Sequence, residues 1–209
     1  MSPHCCAHES APVADPRYRT ILWIALVLNA GMFFVEVFAS AAAGSTSLAA
    51  DAADFAGDGA NYGLSLGALA MGGLWSSRAA LAKGLAMAAY GVGLLGYIGW
   101  MLVQGRLPEP VTMGAVGALA LAVNVGVAVL LYAYRNGDAN MRSVWLCTRN
   151  DAIGNLAVLG AALGVAGTAT AWPDLLVSLL MAGLGLASAR EVIRRARGEL
   201  RLTPAVKAS

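Results

Sequence analysis

Charge is what this sequence has least of. Asp, Glu, Lys and Arg make up 12% of its 209 residues, where a soluble domain carries about 25%. With 58% hydrophobic residues and a mean hydropathy of +0.66, the composition excludes an ordinary water-soluble fold and points to an integral membrane protein. Six spans of about 20 residues would consume most of the length, which leaves too little for an independent soluble domain. The net charge of +2 is no footprint for nucleic acid, and the basic residues read better as topology signals. Three cysteines, with Cys5 and Cys6 adjacent, cannot build a secreted disulfide framework. A cleaved signal peptide is not expected, because the polar residues 1–18 are followed by an apolar run too long for a signal h-region. No internal repeat is visible.

What is present is a series of long apolar runs. They predict an all-α integral membrane protein, a six-transmembrane-helix bundle, with helices over residues 20–43, 47–73, 80–104, 111–134, 142–165 and 172–189. Each run is long enough to cross a hydrocarbon core of about 30 Å. Residues 1–18 then form an N-terminal tail, 19–190 the transmembrane domain and 191–209 a basic C-terminal tail. Arg17 and Arg19 precede helix 1, Arg78 lies between helices 2 and 3, Lys83 falls in the first turn of helix 3, and Arg135 and Arg142 flank the junction of helices 4 and 5. Arg190, Arg194, Arg195, Arg197 and Arg201 follow helix 6, while the opposite loops hold only Arg106 as a basic residue. The positive-inside rule therefore predicts N- and C-termini that are both cytoplasmic.

Against that apolar background three acids stand out in helix 2: Asp51, Asp54 and Asp58. A carboxylate in hydrocarbon costs about 3 kcal/mol or more, so such residues face a cavity, a partner charge or an ion. Spacings of three and four put them on one helical stripe. Helix 1 adds Asn29 and Glu36, and helix 5 holds Cys147, Arg149, Asn150, Asp151 and Asn155. Cys147, Asp151 and Asn155 recur every four residues and share a face. At about 1.5 Å per residue, Asp58 lies about 16 Å from the outer end of helix 2 and Asp151 about 13 Å from the inner end of helix 5. Both depths are near the midplane, where transporters place their ion sites. The pairs Asp54/Asp58 and Cys147/Asp151 on facing helices would supply four ligands, with Asn155 as an alternative fourth. Three carboxylates and a thiolate suit Zn²⁺, Cd²⁺ or Co²⁺, whereas Mg²⁺ and Ca²⁺ prefer all-oxygen shells. Asp51 and Glu36 read as secondary pathway groups. The N-terminal tail places His4, Cys5, Cys6 and His8 together; these are candidate metal ligands without the spacing of a folded zinc module.

These residues resemble the cation diffusion facilitator family of metal/proton antiporters. The segment Gly44-Ser-Thr-Ser-Leu-Ala-Ala-Asp-Ala52 is similar to the family's Gly-Ser-x-x-Leu-x-Ala-Asp-Ala. Asp54-Phe-Ala-Gly-Asp58 stands where the family has His-x-x-x-Asp or Asp-x-x-x-Asp. Asn140-Met-Arg-Ser-Val-Trp-Leu146 and Cys147-Thr-Arg-Asn-Asp151-Ala-Ile-Gly154 are similar to its Asn-x-x-x-x-x-Leu and His-x-x-x-Asp-Ala-Leu-Gly. Trp172-Pro-Asp174 lies near its Asp-Pro entry to helix 6. Two departures matter. Cys147 replaces a histidine, and the family's cytoplasmic C-terminal domain does not follow helix 6.

The resemblance implies a transporter, not an enzyme, and the high Ala and Gly content suggests a GC-rich bacterial genome and hence a bacterial cytoplasmic membrane. The transporter would export a divalent transition metal, Zn²⁺ first and then Cd²⁺ or Co²⁺, by alternating access. Protons are the implied counter-substrate, with no permanent cofactor and no nucleic-acid partner. A homodimer is a family expectation that the shortened C-terminus weakens. The competing readings are a membrane metal sensor or metal-binding assembly protein and, behind it, an intramembrane metal-dependent enzyme. The enzyme motifs are broken here: Asp58-Gly-Ala-Asn-Tyr62 does not continue as an alcohol phosphotransferase, and no second Tyr-Asp element of an aspartyl protease lies in a span.

Overall fold

The computed structural model describes residues 16–68, 73–136 and 139–206. Six helices follow one another: α1 (Pro16–Ala43), α2 (Thr46–Ala68), α3 (Gly73–Gln104), α4 (Pro110–Leu131), α5 (Ala139–Thr168) and α6 (Trp172–Val206). A single 3₁₀ turn, Tyr132–Tyr134, ends α4. Among the described residues there are no strands. The predicted helix count and order are those observed. Two boundaries move outward: α3 begins at Gly73, and α6 runs on through most of the expected tail to Val206. At 35 residues, α6 is about 50 Å long and outreaches a hydrocarbon core. Its extension is helped by ion pairs at helical spacing, Glu191 with Arg194 at 2.8 Å and with Arg195 at 2.6 Å.

The helices associate as three neighbouring pairs, α1 with α2, α3 with α6 and α4 with α5. On α1 the buried residues Tyr18, Leu22, Ala25, Asn29, Met32, Glu36 and Ser40 follow one another at spacings of three or four, a continuous inward seam. The opposite faces carry large apolar side chains in the open, such as Phe38, Val103, Val111 and Leu163. Water would make such a coat costly, and lipid makes it the favoured surface. The α3–α6 pair packs closely on glycine. A Cβ on Gly91 would lie 2.7 Å from Leu186, and one on Gly84 would lie 2.8 Å from Ile193.

Among the described residues five helices are long and apolar enough to cross a membrane, and α2 is not among them. Its three aspartates lower its hydropathy, and its position explains why that is tolerated. α2 packs against α1, α3, α5 and α6, and residues 43–52 are buried without interruption. A helix wrapped by other helices need not present an apolar face to lipid. The α1–α2 connection is tight: Gly44 adopts a left-handed φ of 66°, which glycine accepts without steric cost. Ser45 then caps α2, its Oγ accepting from Leu48 N–H at 3.2 Å.

Candidate functional site

Asp58 stands near the middle of the bundle and is 4% exposed. Its carboxylate accepts a hydrogen bond from Tyr62 Oη at 3.0 Å, and Tyr62 Oη lies 2.7 Å from Thr148 Oγ1 on α5. Asp58 and Asp151 lie within hydrogen-bonding reach of one another, and Asn61 is also in reach of Asp58. Helix geometry explains the arrangement: Asp58 and Tyr62 are four apart on α2, so both face α5 one turn apart. Cys147, which belongs to no disulfide, receives Asn61 Nδ2 at 3.9 Å. Cys147, Asn61, Asp58 and Asp151 are thus linked pair by pair across the α2–α5 contact. A carboxylate pair in this setting is a natural place for a cation or an exchanged proton.

Asp54 sits one turn from Asp58 and is partly exposed. It lines two cavities. One, about 250 Å³, runs between α2, α5 and α6 and is also lined by Asp151, Asn150 and Met181. The other, about 170 Å³, lies toward α3 and includes Lys83, Tyr90 and Met87. Asp54 therefore opens onto the same space as Asp151. Among the described residues, no three of the His, Cys, Asp and Glu side chains converge closely enough to hold a metal. The structure brings the expected ligands together in pairs rather than as one shell. Arg149 does not pair with Asp151; it is exposed and lies 5.3 Å from the Trp145 ring centre. His4, Cys5, Cys6 and His8 lie outside the described residues.

A second acidic pair lies toward the α1–α2 hairpin. Glu36 and Asp51 are both 0% exposed and within hydrogen-bonding reach of each other. None of their four oxygens receives a hydrogen bond from a described donor, and both polar atoms of buried Asn155 are in the same position. Ala39, Leu48 and Val158 pack in one cluster. Glu36, Asp51 and Asn155 each lie three residues inward from one of these, so they occupy a common layer. At the hairpin itself Asp174 of α6 is bound by four donors. Oδ1 takes Ser45 Oγ at 2.7 Å and Ser47 N at 3.0 Å; Oδ2 takes Thr46 N at 2.7 Å and Thr46 Oγ1 at 2.8 Å. Asp174, not Asp51, therefore fastens the hairpin. The reason is reach: Asp51 lies a full turn into α2 and faces Glu36 instead.

Tyr62, Thr148 and Lys83 were not marked as site residues by the sequence. Tyr62 could have been found from its i, i+4 spacing to Asp58. Thr148 looked like any small residue in a span. Lys83 lies ten residues into α3 rather than in its first turn, because α3 begins at Gly73, and it is buried against its neighbours. A family model described as "Cation efflux transmembrane domain" matches residues 22–200. No curated protein matches the chain.

Proposed function

The chain belongs to the cation efflux family of multi-pass membrane transporters, and we propose that it exports a divalent transition metal from the cytoplasm in exchange for protons. Zn²⁺ is the first expected substrate, with Cd²⁺ and Co²⁺ behind it, because carboxylates with one thiol suit these ions. The observation that carries the reading is the Asp58–Asp151 pair across α2 and α5, with Cys147 joined to the same spot through Asn61. A modest shift of α5 against α2 would add Cys147 or Asn155 to the two carboxylates, with Asp54 entering from the shared cavity. Metal binding requires deprotonated ligands, so loading releases protons and protonation ejects metal. That exchange couples metal export to proton entry with no separate machinery. Tyr62 holds the Asp58 oxygen in place and so orients the pair. The proposed setting is a bacterial cytoplasmic membrane, and the arginine distribution supports both termini lying inside.

Flux of Zn²⁺, Cd²⁺ and Co²⁺ into proteoliposomes, with a pH dye inside, tests this directly. Wild type should move metal and protons in opposite directions, and Asp58→Asn should lose at least about 100-fold of the flux, as expected when a ligand is removed outright. Equal flux in both proteins would remove the site assignment. Saturable metal binding without any flux would return the sensor reading.

A further inference from the structure

Lys83 is the one buried basic residue among the described residues. It lies ten residues into α3 and is 9% exposed, and its ammonium turns into the bundle toward α2. It shares the 170 Å³ cavity with Asp54, and its charge acts on the Asp58 carboxylate. No ion pair of its own within 4 Å accompanies that charge among the described residues, in contrast to the pairs of Glu191 with Arg194 and Arg195. Lys83 Nζ donates instead to Asn61 Oδ1. The same amide turns its Nδ2 toward Cys147. An amide whose oxygen faces a cation is a stronger donor at its nitrogen. Asn61 therefore passes the positive charge of α3 to the acidic contact between α2 and α5.

We propose that Lys83 is a tethered counter-cation of the metal site, competing electrostatically with the incoming divalent ion and tying α3 to α2 until that ion arrives. The proposal rests on the transport reading above. Asp54, Asp58 and Asp151 with Lys83 leave a net of two negative charges when ionised, which a divalent ion balances and a monovalent ion does not. When the ion enters, the ammonium is repelled and the Lys83–Asn61 bond weakens. α3 belongs to the α3–α6 pair and α2 to the other helices, so loading the site loosens a contact between two groups of helices. Lys83 is thus a positioning and selectivity residue, not a ligand. The alternative, a purely structural lysine, would stabilise the α2–α3 contact without influencing metal affinity.

The test measures Zn²⁺ and Cd²⁺ binding by calorimetry on the full-length protein, and flux on the same preparations in proteoliposomes. Lys83→Met should bind both ions about tenfold more tightly, because a like charge has been removed from the site. It should show a lower KM and also a lower maximal rate, since a tighter site releases more slowly. Lys83→Gln keeps a hydrogen-bonding group without the charge and should follow Lys83→Met, while Lys83→Arg should return the affinity toward the wild-type value. Unchanged or weaker binding in Lys83→Met and Lys83→Gln overturns the proposal. Should Lys83→Met fail to fold, judged by gel filtration and melting, the Gln and Arg variants carry the comparison. Wild type that binds metal but moves none ends the transport reading and leaves the affinity comparison standing. Wild type that binds neither ion ends both.

Discussion

Asp174 and the Glu36–Asp51 pair are equally buried carboxylates with opposite fates. Asp174 is 1% exposed and takes four hydrogen bonds from residues 45–47. Glu36 and Asp51 are 0% exposed, and their four oxygens receive none from a described donor. The difference lies in what surrounds them. Asp174 meets the free N–H groups at the start of α2, where the helix dipole also favours a negative charge. Glu36 and Asp51 sit between mid-helix turns whose backbone groups are already paired, and each can turn only to the other. A carboxylate supplied with donors is a fastening. A pair without donors has a strong need for a proton or a cation, which is what a transport pathway exploits. The Asp58–Asp151 pair lies between these extremes, with Tyr62 as a donor to Asp58 and Asp151 within hydrogen-bonding reach.

Substitution breaks this contrast most sharply at Asp174. Asp174→Ala strands the N–H groups of Thr46 and Ser47, and melting of the purified protein should show a loss of about 3 kcal/mol. A melting curve equal to wild type would show that the fastening is unnecessary. At the other pole, Glu36→Gln supplies the missing donor to Asp51. It should leave stability unchanged or raise it by about 1 kcal/mol, while flux falls; a destabilised variant with normal flux would reverse the assignment of roles. The smallest effect belongs to Glu109, which caps α4 by accepting from Val111 N–H at 3.0 Å and Thr112 N–H at 2.5 Å. Hydrogen bonds from Thr112, side chain then backbone, and from Val111 hold its carboxyl below the ordinary range. A group lowered in the folded state stabilises above its unfolded pKa, about 4.3 for Glu, and that help is lost as pH falls through the lowered value. Glu109→Gln should therefore lower the melting temperature slightly at neutral pH, meet wild type in acid, and so remove a small acid-side slope.

Much of the candidate site was legible in the sequence, because its residues break a local rule. Asp51, Asp54, Asp58 and Asp151 are acids inside apolar runs, and their spacing by three and four announces shared faces whatever the neighbours are. Asp174 was legible only as part of an entry motif to helix 6. Its hydrogen bonds span more than 120 positions of chain to residues 45–47, and no local pattern carries that information. Lys83 has a partner that is hidden for a related reason. Positive charge near a helix start ordinarily marks the membrane surface, and its bond to Asn61 on α2 appears only when the two helices pack.

Hydropathy and periodicity by themselves determined six helices, their order and which of their faces bear polar groups. Those properties arise within one turn or one span of chain. The partners of those polar groups were decided by the tertiary structure alone: Asp58 with Asp151, Glu36 with Asp51, Asp174 with the hairpin, and Lys83 with Asn61. Each depends on how helices distant in sequence rotate and slide against one another, and that is set by the packing of whole surfaces, such as the glycine contacts of α3 with α6, rather than by any single residue.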